Sequence, residues 1–302
     1  MQATLTLGRR SSDRLSSAAT VVLAVLVYLA AHVAVRLAMG PTLGLDDAEQ
    51  ALFAQDWAWG YRFRQPPLFT WLLLGLGEFV GVNAVALTLL RYLLLLLTYV
   101  CLYLVALRWV ADRRLAALAV FSFALIYVFA FYAHHDLTHT TALGAMVAAS
   151  LYAFARLAER PHAAGRYALL GACFGLGMLA KWNFVMLPAG LLLTCLLLPR
   201  FRPLVLTWRT LPAAGAMALV VAPTAVWILA HGQTVGSVSE DILAAEGEAP
   251  GFLATLAAGT LALAKSALVF PQPFLPIFLA VFGAALWRAV LRAPAPPPAA
   301  DG

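Results

Sequence analysis

Long apolar runs recur along most of this sequence, and they constrain the fold more than any other feature. Several match the roughly 20 residues that a helix needs to cross a bilayer. Hydrophobic residues make up 63% of the 302 residues and charged residues only 11%, against about 45–50% and about 25% in soluble domains. No soluble fold of this size can bury so much apolar surface, which excludes a freely soluble enzyme and a disordered or disulfide-framework chain. The sequence predicts an all-α protein, a polytopic transmembrane helical bundle.

The predicted topology has about eight membrane spans, with both termini in the cytoplasm. The spans are residues 16–39, 86–108, 115–133, 139–157, 167–181, 183–199, 211–231 and 271–288. Two further apolar segments, 66–80 and 252–269, are expected to lie as helices at the outer interface, because a crossing by either would move the following arginine-rich loops outside. The inner loops then hold most of the basic residues, as the positive-inside rule requires. The first run is too long for the core of a signal peptide, so we expect it to be a retained span.

The chain is predicted to form one membrane-embedded domain over residues 1–292. Three outer segments carry its polar chemistry: 40–66, 131–143 and the acidic 231–251. The tail, 293–302, is rich in proline and alanine and is expected to be disordered. The net charge of +6 comes from short basic clusters between apolar runs, a pattern typical of membrane topology and not of nucleic-acid binding. The three cysteines lie inside apolar runs and are expected to be core residues.

An acidic pair, Asp46 and Asp47, stands out in the first outer segment. Asp46 and Glu49 match a capping box, in which Asp46 would accept hydrogen bonds from the first amides of a short helix. Alternatively, Asp46 is a carboxylate held at the membrane surface that takes a proton from an acceptor hydroxyl. Asp47 is expected to be a solvated or supporting neighbour. The sequence leaves both interpretations of Asp46 open.

Aromatic and basic residues follow in the same segment. An aromatic belt at the level of the lipid headgroups fits Trp57, Trp59, Tyr61 and Phe63, although aromatic rings also stack on sugars. Arg62 and Arg64 either bind lipid phosphate non-specifically or hold a specific phosphate ester. The aromatic residues therefore do not discriminate between a structural and a functional loop.

The second outer segment places Asp136 among three histidines, His134, His135 and His139. On a helix His135 and His139 share a face, so a divalent metal site is one interpretation. The other is local hydrogen bonding at a helix start, with Asp136 as a cap. Under either interpretation, an ionisable group at membrane depth is a candidate for function.

Lys181 interrupts an otherwise apolar hairpin. It is either a lysine that extends its amine to the headgroup region or a phosphate-binding lysine that faces the same cavity as Asp46 and Asp136. The span before it holds three glycines, which are expected to allow close helix packing and not to form a nucleotide loop: Gly171, Gly175 and Gly177.

Pieces of sequence in these segments resemble the membrane glycosyltransferases of the GT-C fold, in the protein O-mannosyltransferase and lipid A aminoarabinose transferase superfamily. The matching pieces are Asp-Asp-Ala at 46–48, Arg-Gln-Pro-Pro-Leu at 64–68, Arg91, Arg-Arg at 113–114, His-Asp-Leu-Thr-His at 135–139 and Gly-Met-Leu-Ala-Lys-Trp-Asn at 177–183. They run in family order over residues 16–200. Two departures are that Asp47 stands where the family usually has Glu, and Gln65 where it often has Lys or His.

The resemblance implies a sugar donor carried on a polyprenyl phosphate and an inverting transfer to a lipid, glycan or protein acceptor. It places the active site on the extracytoplasmic face of a bacterial inner membrane. It implies that Asp46 and Asp136 are the catalytic acids of the cavity. The residues it assigns to substrate binding are Asp47, Arg64, Gln65, Arg91, His135 and Lys181.

Two other functions remain open from the sequence. A transporter or flippase for an anionic lipid or small solute would use the same outward acids and bases without covalent chemistry. A truncated, inactive relative would associate stably with a partner subunit and would catalyse no reaction. The enzyme interpretation requires Asp46, Asp136 and Lys181 to converge, because reacting groups must lie about 3 Å from their targets.

Overall fold

The fold is helical throughout the residues that the computed structural model describes. These are residues 18–40, 42–62, 64–232 and 251–291. They contain no strand, and their extended pairing is limited to two isolated β-bridges, so the predicted all-α fold is confirmed. The predicted tail, 293–302, and nearly all of the acidic segment 231–251 lie outside the described residues.

Four of the described helices are long and apolar enough to cross a membrane. The helices of nine or more residues are α1 (Ala18–Ala38), α2 (Leu45–Phe53), α3 (Leu68–Val80), α4 (Ala84–Trp109), α5 (Arg113–Phe121), α6 (His139–Glu159), α7 (Ala164–Ala180), α8 (Met186–Leu197), α9 (Leu211–Ala230), α10 (Phe252–Val269) and α11 (Phe274–Leu291). Those of spanning length are α1, α4, α6 and α9 together with the turn before it, while α3, α7, α8, α10 and α11 are shorter apolar helices. The count of about eight crossings stays a prediction.

The chain divides into two compact units. Of the described residues, the larger comprises those up to 120 and those from 132 to 232, and the smaller comprises 121–131 and 251–291. Within the larger unit α1 packs on α4, α4 on α6, α6 on α7, and α7 on α9. The short helix α3 contributes fully buried side chains to the same core. Every residue that the sequence singles out as a site residue belongs to the larger unit.

Large apolar side chains cover the outside of the spans. Leu219 and Leu229 on α9 are 77% and 78% exposed, and Val27 on α1 is 62% exposed. Extended apolar surface of this kind marks contact with lipid or with another protein. Together with the helices of spanning length, it makes the chain a multi-pass membrane protein.

Glycines let α7 approach its neighbours closely. A Cβ atom at Gly171 would overlap the backbone of Ala213, and one at Gly175 would meet a side chain of α9 at 2.7 Å. Gly177 in turn receives the ring of Phe184. The prediction of close helix packing at these glycines is confirmed.

The predicted third span, 115–133, is wrong as one continuous helix. α5 ends at Phe121, a short 3₁₀ turn follows, and Ile126 has extended backbone angles of −86° and 121°. Within the smaller unit the Tyr127 N–H then donates to the carbonyl of Gln272 at 2.8 Å. This pairing replaces helical hydrogen bonds, and the β-branched and aromatic residues around it are weak helix formers.

Candidate functional site

The first turn of α2 directs two acidic side chains to different environments. The N-cap of α2 is Gly44, and no side chain caps its amides, so the interpretation of Asp46 as the N-cap is wrong. Successive residues of an α-helix are about 100° apart around its axis. Asp46 consequently lines a cavity, whereas Asp47 points into the protein and is only 1% exposed.

Asp47 and Arg91 form a buried ion pair. Arg91 Nη2 donates to Asp47 Oδ1, and the two side chains are 0% (Arg91) and 2% (Asp47) exposed. Arg91 Nη1 also donates to the carbonyl of His135 at 3.4 Å. The pair thereby connects α2 and α4 to the segment that carries Asp136. Since neither Asp47 nor Arg91 lines the cavity, their geometry favours a positioning role over direct contact with a substrate.

Asp136 brings a third carboxylate to the start of α2. It lies against Gly44, where a Cβ atom would overlap its carboxylate. Its Oδ1 is buried and has no hydrogen-bond partner among the described residues. The negative charge of Asp136 acts on both Asp46 and Asp47. Asp136 therefore adjoins the cavity without lining it, and the exposed side chain of His135 is outside the lining as well.

A cavity of about 630 Å³ opens beside α2. It is lined by Leu45, Asp46, Ala48, Glu49, Leu52, Phe53, Arg62, Arg64, Gln65, Pro66, His139, Thr140 and Lys181. Four of the predicted site residues thus meet in one place: Asp46, Arg64, Gln65 and Lys181. The volume falls within the roughly 300–1,000 Å³ typical of small-molecule sites.

Lys181 reaches the cavity because α7 ends one residue before it. The backbone becomes extended at Lys181, and its Nζ donates to Thr140 Oγ1 at 3.2 Å. Thr140 is in the first turn of α6, so the contact links the ends of two spans. A lysine held by a neutral hydroxyl keeps its charge available for an anion in the cavity.

Elsewhere in the lining, one arginine and one amide side chain hold the Glu49 carboxylate. Arg62 Nη1 lies 3.6 Å from Glu49 Oε1, and Gln65 Nε2 donates to the other carboxylate oxygen of Glu49. With Arg64, three cationic side chains face two carboxylates, those of Glu49 and Asp46. The sequence leaves open a phosphate-binding role for Arg62 and indicates only a capping role for Glu49, which follows Asp46 by three residues and so shares its helix face.

The environment of the acidic pair changes its proton affinity. Burial raises the pKa of the Asp46 carboxyl above its ordinary value, and the Asp136 carboxylate raises it further, while a hydrogen bond from the Thr138 backbone opposes the shift. Burial also raises the pKa of Asp47, against the lowering effect of the Arg91 guanidinium. A carboxylate with a raised pKa is a stronger proton acceptor than one in open solvent.

A buried hydrogen-bond chain supports the cavity wall from behind. Thr70 Oγ1 donates to Gln50 Oε1 at 2.7 Å, and Gln50 Nε2 lies 3.0 Å from His139 Nε2. Since an amide nitrogen only donates, His139 accepts through Nε2. The chain joins α3, α2 and α6. In the sequence, this hydrogen-bond chain is indicated only by Gln50, a polar residue one helical turn after Asp46.

The histidines of the second outer segment do not converge on a metal. His139 is buried against Gln50, whereas His135 is exposed. Across the described ranges, no group of three or more His, Cys, Asp or Glu side chains is arranged to hold a metal ion. The divalent metal interpretation thus finds no site among these residues.

His134 belongs to an aromatic cluster between α1 and α4. Its ring stacks on His32 at 4.0 Å, and its nitrogens lie 3.1 Å from Tyr28 Oη and 3.2 Å from Tyr92 Oη. The cluster fixes the segment immediately before Asp136. Its sequence signal is the spacing of Tyr28 and His32, which share one face of an apolar helix.

The tryptophans of the first outer segment anchor the loop. The Trp71 ring stacks on Trp57 at 5.4 Å, and its Nε1 donates to the carbonyl of Ala58 at 2.8 Å. Thr224 on α9 donates to the carbonyl of Trp59, also at 2.8 Å. None of the three rings lines the cavity, so the geometry favours anchoring over sugar stacking.

The multi-pass helical fold of this chain is that of the GT-C membrane glycosyltransferases, as its likeness to two solved structures shows. The structure of ArnT from Cupriavidus metallidurans bound to undecaprenyl phosphate matches with a TM-score of 0.56 and 19% identity, over 70% of this chain and 41% of that chain. The S. cerevisiae protein O-mannosyltransferase Pmt1-Pmt2 complex bound to the sugar donor matches with a TM-score of 0.53 and 17% identity, over 70% and 33%. These likenesses confirm the fold that the sequence resemblance implied.

The family model described as dolichyl-phosphate-mannose-protein mannosyltransferase matches residues 64–227. The match covers more than half of the chain, and the chain belongs to this family. Two curated relatives from Rhizobium johnstonii are also similar. They are the lipopolysaccharide core galacturonosyltransferases RgtB, 35% identical over 260 residues, and RgtA, 32% identical over 257 residues.

The matched region is most of this chain and a part of each relative. It covers 86% of the chain and 52% of RgtB, and 84% of the chain and 50% of RgtA. The chain therefore spans about half the length of the curated relatives it matches. Six of the cavity-lining residues, among them Arg64, Gln65 and Lys181, lie within the part of the chain that the family model matches, whereas Asp46 and the other lining residues of α2 precede it.

Proposed function

We propose that the chain carries the catalytic centre of a glycosyltransferase that moves a sugar from a polyprenyl-phosphate-linked donor to an acceptor hydroxyl. The observation that carries the proposal is the single cavity in which the Asp46 carboxylate faces Arg62, Arg64 and Lys181. A proton acceptor and an anion-binding wall are the two parts that such a transfer needs. The undecaprenyl phosphate bound to ArnT supports a donor of this type.

The proposed step is a single displacement at the anomeric carbon of the donor sugar. The acceptor oxygen attacks that carbon, and the bond between the carbon and the phosphate oxygen breaks, with its electron pair leaving on the polyprenyl phosphate. The acceptor proton passes to Asp46. One displacement inverts the anomeric configuration, and a positioned general base typically contributes about 10²–10⁴-fold to such a rate.

The cationic wall acts on the leaving group. Negative charge grows on the ester oxygen as the bond breaks, and Lys181, Arg64 and Arg62 stabilise it more strongly in a shielded cavity than water would. Gln65 is held by Glu49 and keeps this wall in place. The planar guanidinium groups of the two arginines can also each donate two hydrogen bonds to oxygens of a phosphate group.

Asp136 and the buried Asp47–Arg91 pair position the base. The Asp136 carboxylate raises the pKa of Asp46, which makes Asp46 a better proton acceptor. The ion pair holds α2 against α4, and so fixes the direction of the neighbouring Asp46 side chain. Both act through Asp46 and not on the substrate.

The cavity is proposed to open on the extracytoplasmic side of a bacterial inner membrane. The opposite ends of α4, α6 and α7 carry arginines, among them Arg108, Arg156 and Arg166. Loops rich in arginine remain on the cytoplasmic side. A polyprenyl-phosphate donor in the outer leaflet would then enter beside α2.

The decisive experiment compares Asp46→Asn with Asp56→Asn, an identical change at an exposed acid outside the cavity. The purified chain is incubated with a radiolabelled polyprenyl-phosphate galacturonate and lipopolysaccharide core, a donor and acceptor chosen from the names of its relatives. We expect turnover by the unaltered chain and by Asp56→Asn, and a loss of at least about 10²-fold in Asp46→Asn. Full turnover by a folded Asp46→Asn protein, or binding of the donor without any cleavage as in a transporter, would overturn the proposal.

A further inference from the structure

A second cavity, of about 640 Å³, lies in the larger unit at the far ends of α4 and α6. α6 begins at the candidate site, α4 passes beside it at Arg91, and both helices end at this second cavity. A rise of 1.5 Å per residue puts Arg108 about 25 Å from Arg91 along α4, and Glu159 about 30 Å from His139 along α6. This separation is close to the roughly 30 Å hydrocarbon thickness of a bilayer. The two cavities therefore face opposite membrane surfaces.

One carboxylate gathers three arginines beside this second cavity. Glu159 lies 2.7 Å from Arg108 Nε, 3.8 Å from Arg166 Nη1 and 3.9 Å from Arg156 Nε. One negative charge cannot compensate three positive charges. Arg200 also lines the cavity, and in the described part of the chain no carboxylate lies within ion-pair distance of it. The lining thus holds two arginines against one carboxylate, and Arg156 and Arg166 add positive charge beside it.

Arg108 is held rigidly in the cavity wall. Its guanidinium packs over the Tyr152 ring at 4.7 Å, and its Nη1 donates to the Leu104 carbonyl at 2.6 Å. With the bond to Glu159, these contacts leave the side chain only 24% exposed. A pre-oriented guanidinium loses less freedom on binding a phosphate than a mobile one does.

Apolar and aromatic side chains complete the lining. Trp109 and Phe201 line the cavity with Leu204, and Trp109 is 58% exposed. Tryptophan prefers the level of the lipid headgroups. Arg108 and Arg200 thus meet apolar and aromatic side chains in one cavity, which combines a charged and an apolar lining.

We propose that this cavity binds the phosphodiester headgroup of an anionic phospholipid, at the membrane face opposite the candidate site. The phosphate lies between Arg108 and Arg200, and the acyl chains follow the apolar side of the lining. Basic pockets between membrane helices are suited to acidic lipid headgroups. Since Glu159 already neutralises part of Arg108, Arg200 supplies most of the discrimination against a zwitterionic lipid.

The test uses the 302-residue chain in a neutral detergent, with native mass spectrometry of bound lipid. The probes are short-chain phosphatidylglycerol, short-chain phosphatidylcholine and inorganic phosphate. The variants are Arg200→Gln and Arg113→Gln, the latter an exposed arginine at the same end of the bundle that does not line the cavity. Thermal unfolding of each protein confirms that it is folded.

We expect phosphatidylglycerol to bind in preference to phosphatidylcholine. Arg200→Gln should weaken that binding about fivefold, as expected for one arginine at an acidic lipid surface, and Arg113→Gln should leave it within about twofold. If both variants weakened phosphatidylglycerol binding equally, the binding would depend on general surface charge and not on this cavity. That result would overturn the proposal. Equal binding of both lipids would overturn it too, as would inorganic phosphate binding in an Arg200-dependent way while phosphatidylglycerol does not bind.

Discussion

The carboxylate of Asp136 lies against the α-carbon of Gly44, at a point where any side chain would overlap it. The backbone angles of Gly44, −70° and 174°, are open to every residue, so the need for glycine is steric and not conformational. Asp136 thereby reaches the start of α2, where the helix dipole favours negative charge. At this position the negative charge of Asp136 raises the pKa of the Asp46 carboxyl.

Gly44→Ala is expected to displace Asp136 and to cost about 1–3 kcal/mol of stability, as overpacking typically does. Donor turnover should fall as well, because Asp136 no longer raises the basicity of Asp46. Thermal unfolding in detergent and the turnover assay measure the two effects. The matched control is Gly75→Ala, since a Cβ atom at Gly75 meets nothing within 4 Å. Unchanged stability and turnover in Gly44→Ala would show that the close contact has no consequence.

Turnover should depend on pH through Asp46. A general base acts only when ionised, so kcat/KM should fall as the pH drops through the raised pKa of Asp46. Asp136→Asn removes a neighbouring negative charge that contributes to this raised pKa. The acidic limb of the profile should therefore move to lower pH in Asp136→Asn.

The control for this pH effect is Asp56→Asn, which should leave the profile in place because Asp56 is exposed and outside the cavity. A shift of the acidic limb to higher pH in Asp136→Asn would contradict the proposed influence of Asp136 on Asp46. A lower maximum rate without a shift would assign Asp136 a purely structural role.

Arg91→Met should destabilise the larger unit strongly. It leaves the Asp47 carboxylate buried and unpaired, a change that typically costs about 3–5 kcal/mol. Adding Asp47→Leu should recover much of this loss, because the double variant has no uncompensated charge. Arg156→Gln provides the comparison, since Arg156 and Glu159 are 40% and 46% exposed and such pairs contribute about 1 kcal/mol or less. Denaturant unfolding that gave equal losses for Arg91→Met and Arg156→Gln would argue against a buried ion pair.

Lys181→Met should lower kcat/KM about 10–100-fold. The estimate follows from the roughly 1.5–3 kcal/mol of a hydrogen bond to a charged group. Lys181→Arg keeps the charge and should retain part of the activity. Lys265→Met removes an exposed lysine of the smaller unit and should have little effect. If Lys181→Met and Lys265→Met behaved alike, Lys181 would have no part in binding the donor phosphate.

The apolar runs predicted most of the fold. A run of spanning length has few alternatives to a helix in lipid, and α1, α4, α6 and α9 appear close to their predicted positions. The prediction of one helix over 115–133 failed because hydropathy indicates whether residues lie in an apolar medium. It does not indicate the local backbone conformation. The pairing of Tyr127 with Gln272 joins residues far apart in sequence, which no local pattern reveals.

The site was predictable in its residue types and less so in its geometry. Asp46, Arg64, Gln65 and Lys181 line one cavity, as their resemblance to the GT-C pattern suggested. The sequence assigns the base to Asp46 and a solvated or supporting place to Asp47, but it does not predict that Asp47 is buried. Their different environments depend on the direction of each side chain from α2 and on Arg91, which is supplied by another helix.

The smaller unit has a consequence for how the protein is made. It joins residues 121–131 to residues 250–302, and an antiparallel bridge links Ile126 with Pro273. The first of these stretches leaves the ribosome more than a hundred residues before the second, while α6 and α7 can already pack in order. We expect the interrupted stretch after α5 to stay without this pairing until Gln272 and Pro273 are synthesised, so the smaller unit closes later than the packing of α6 on α7.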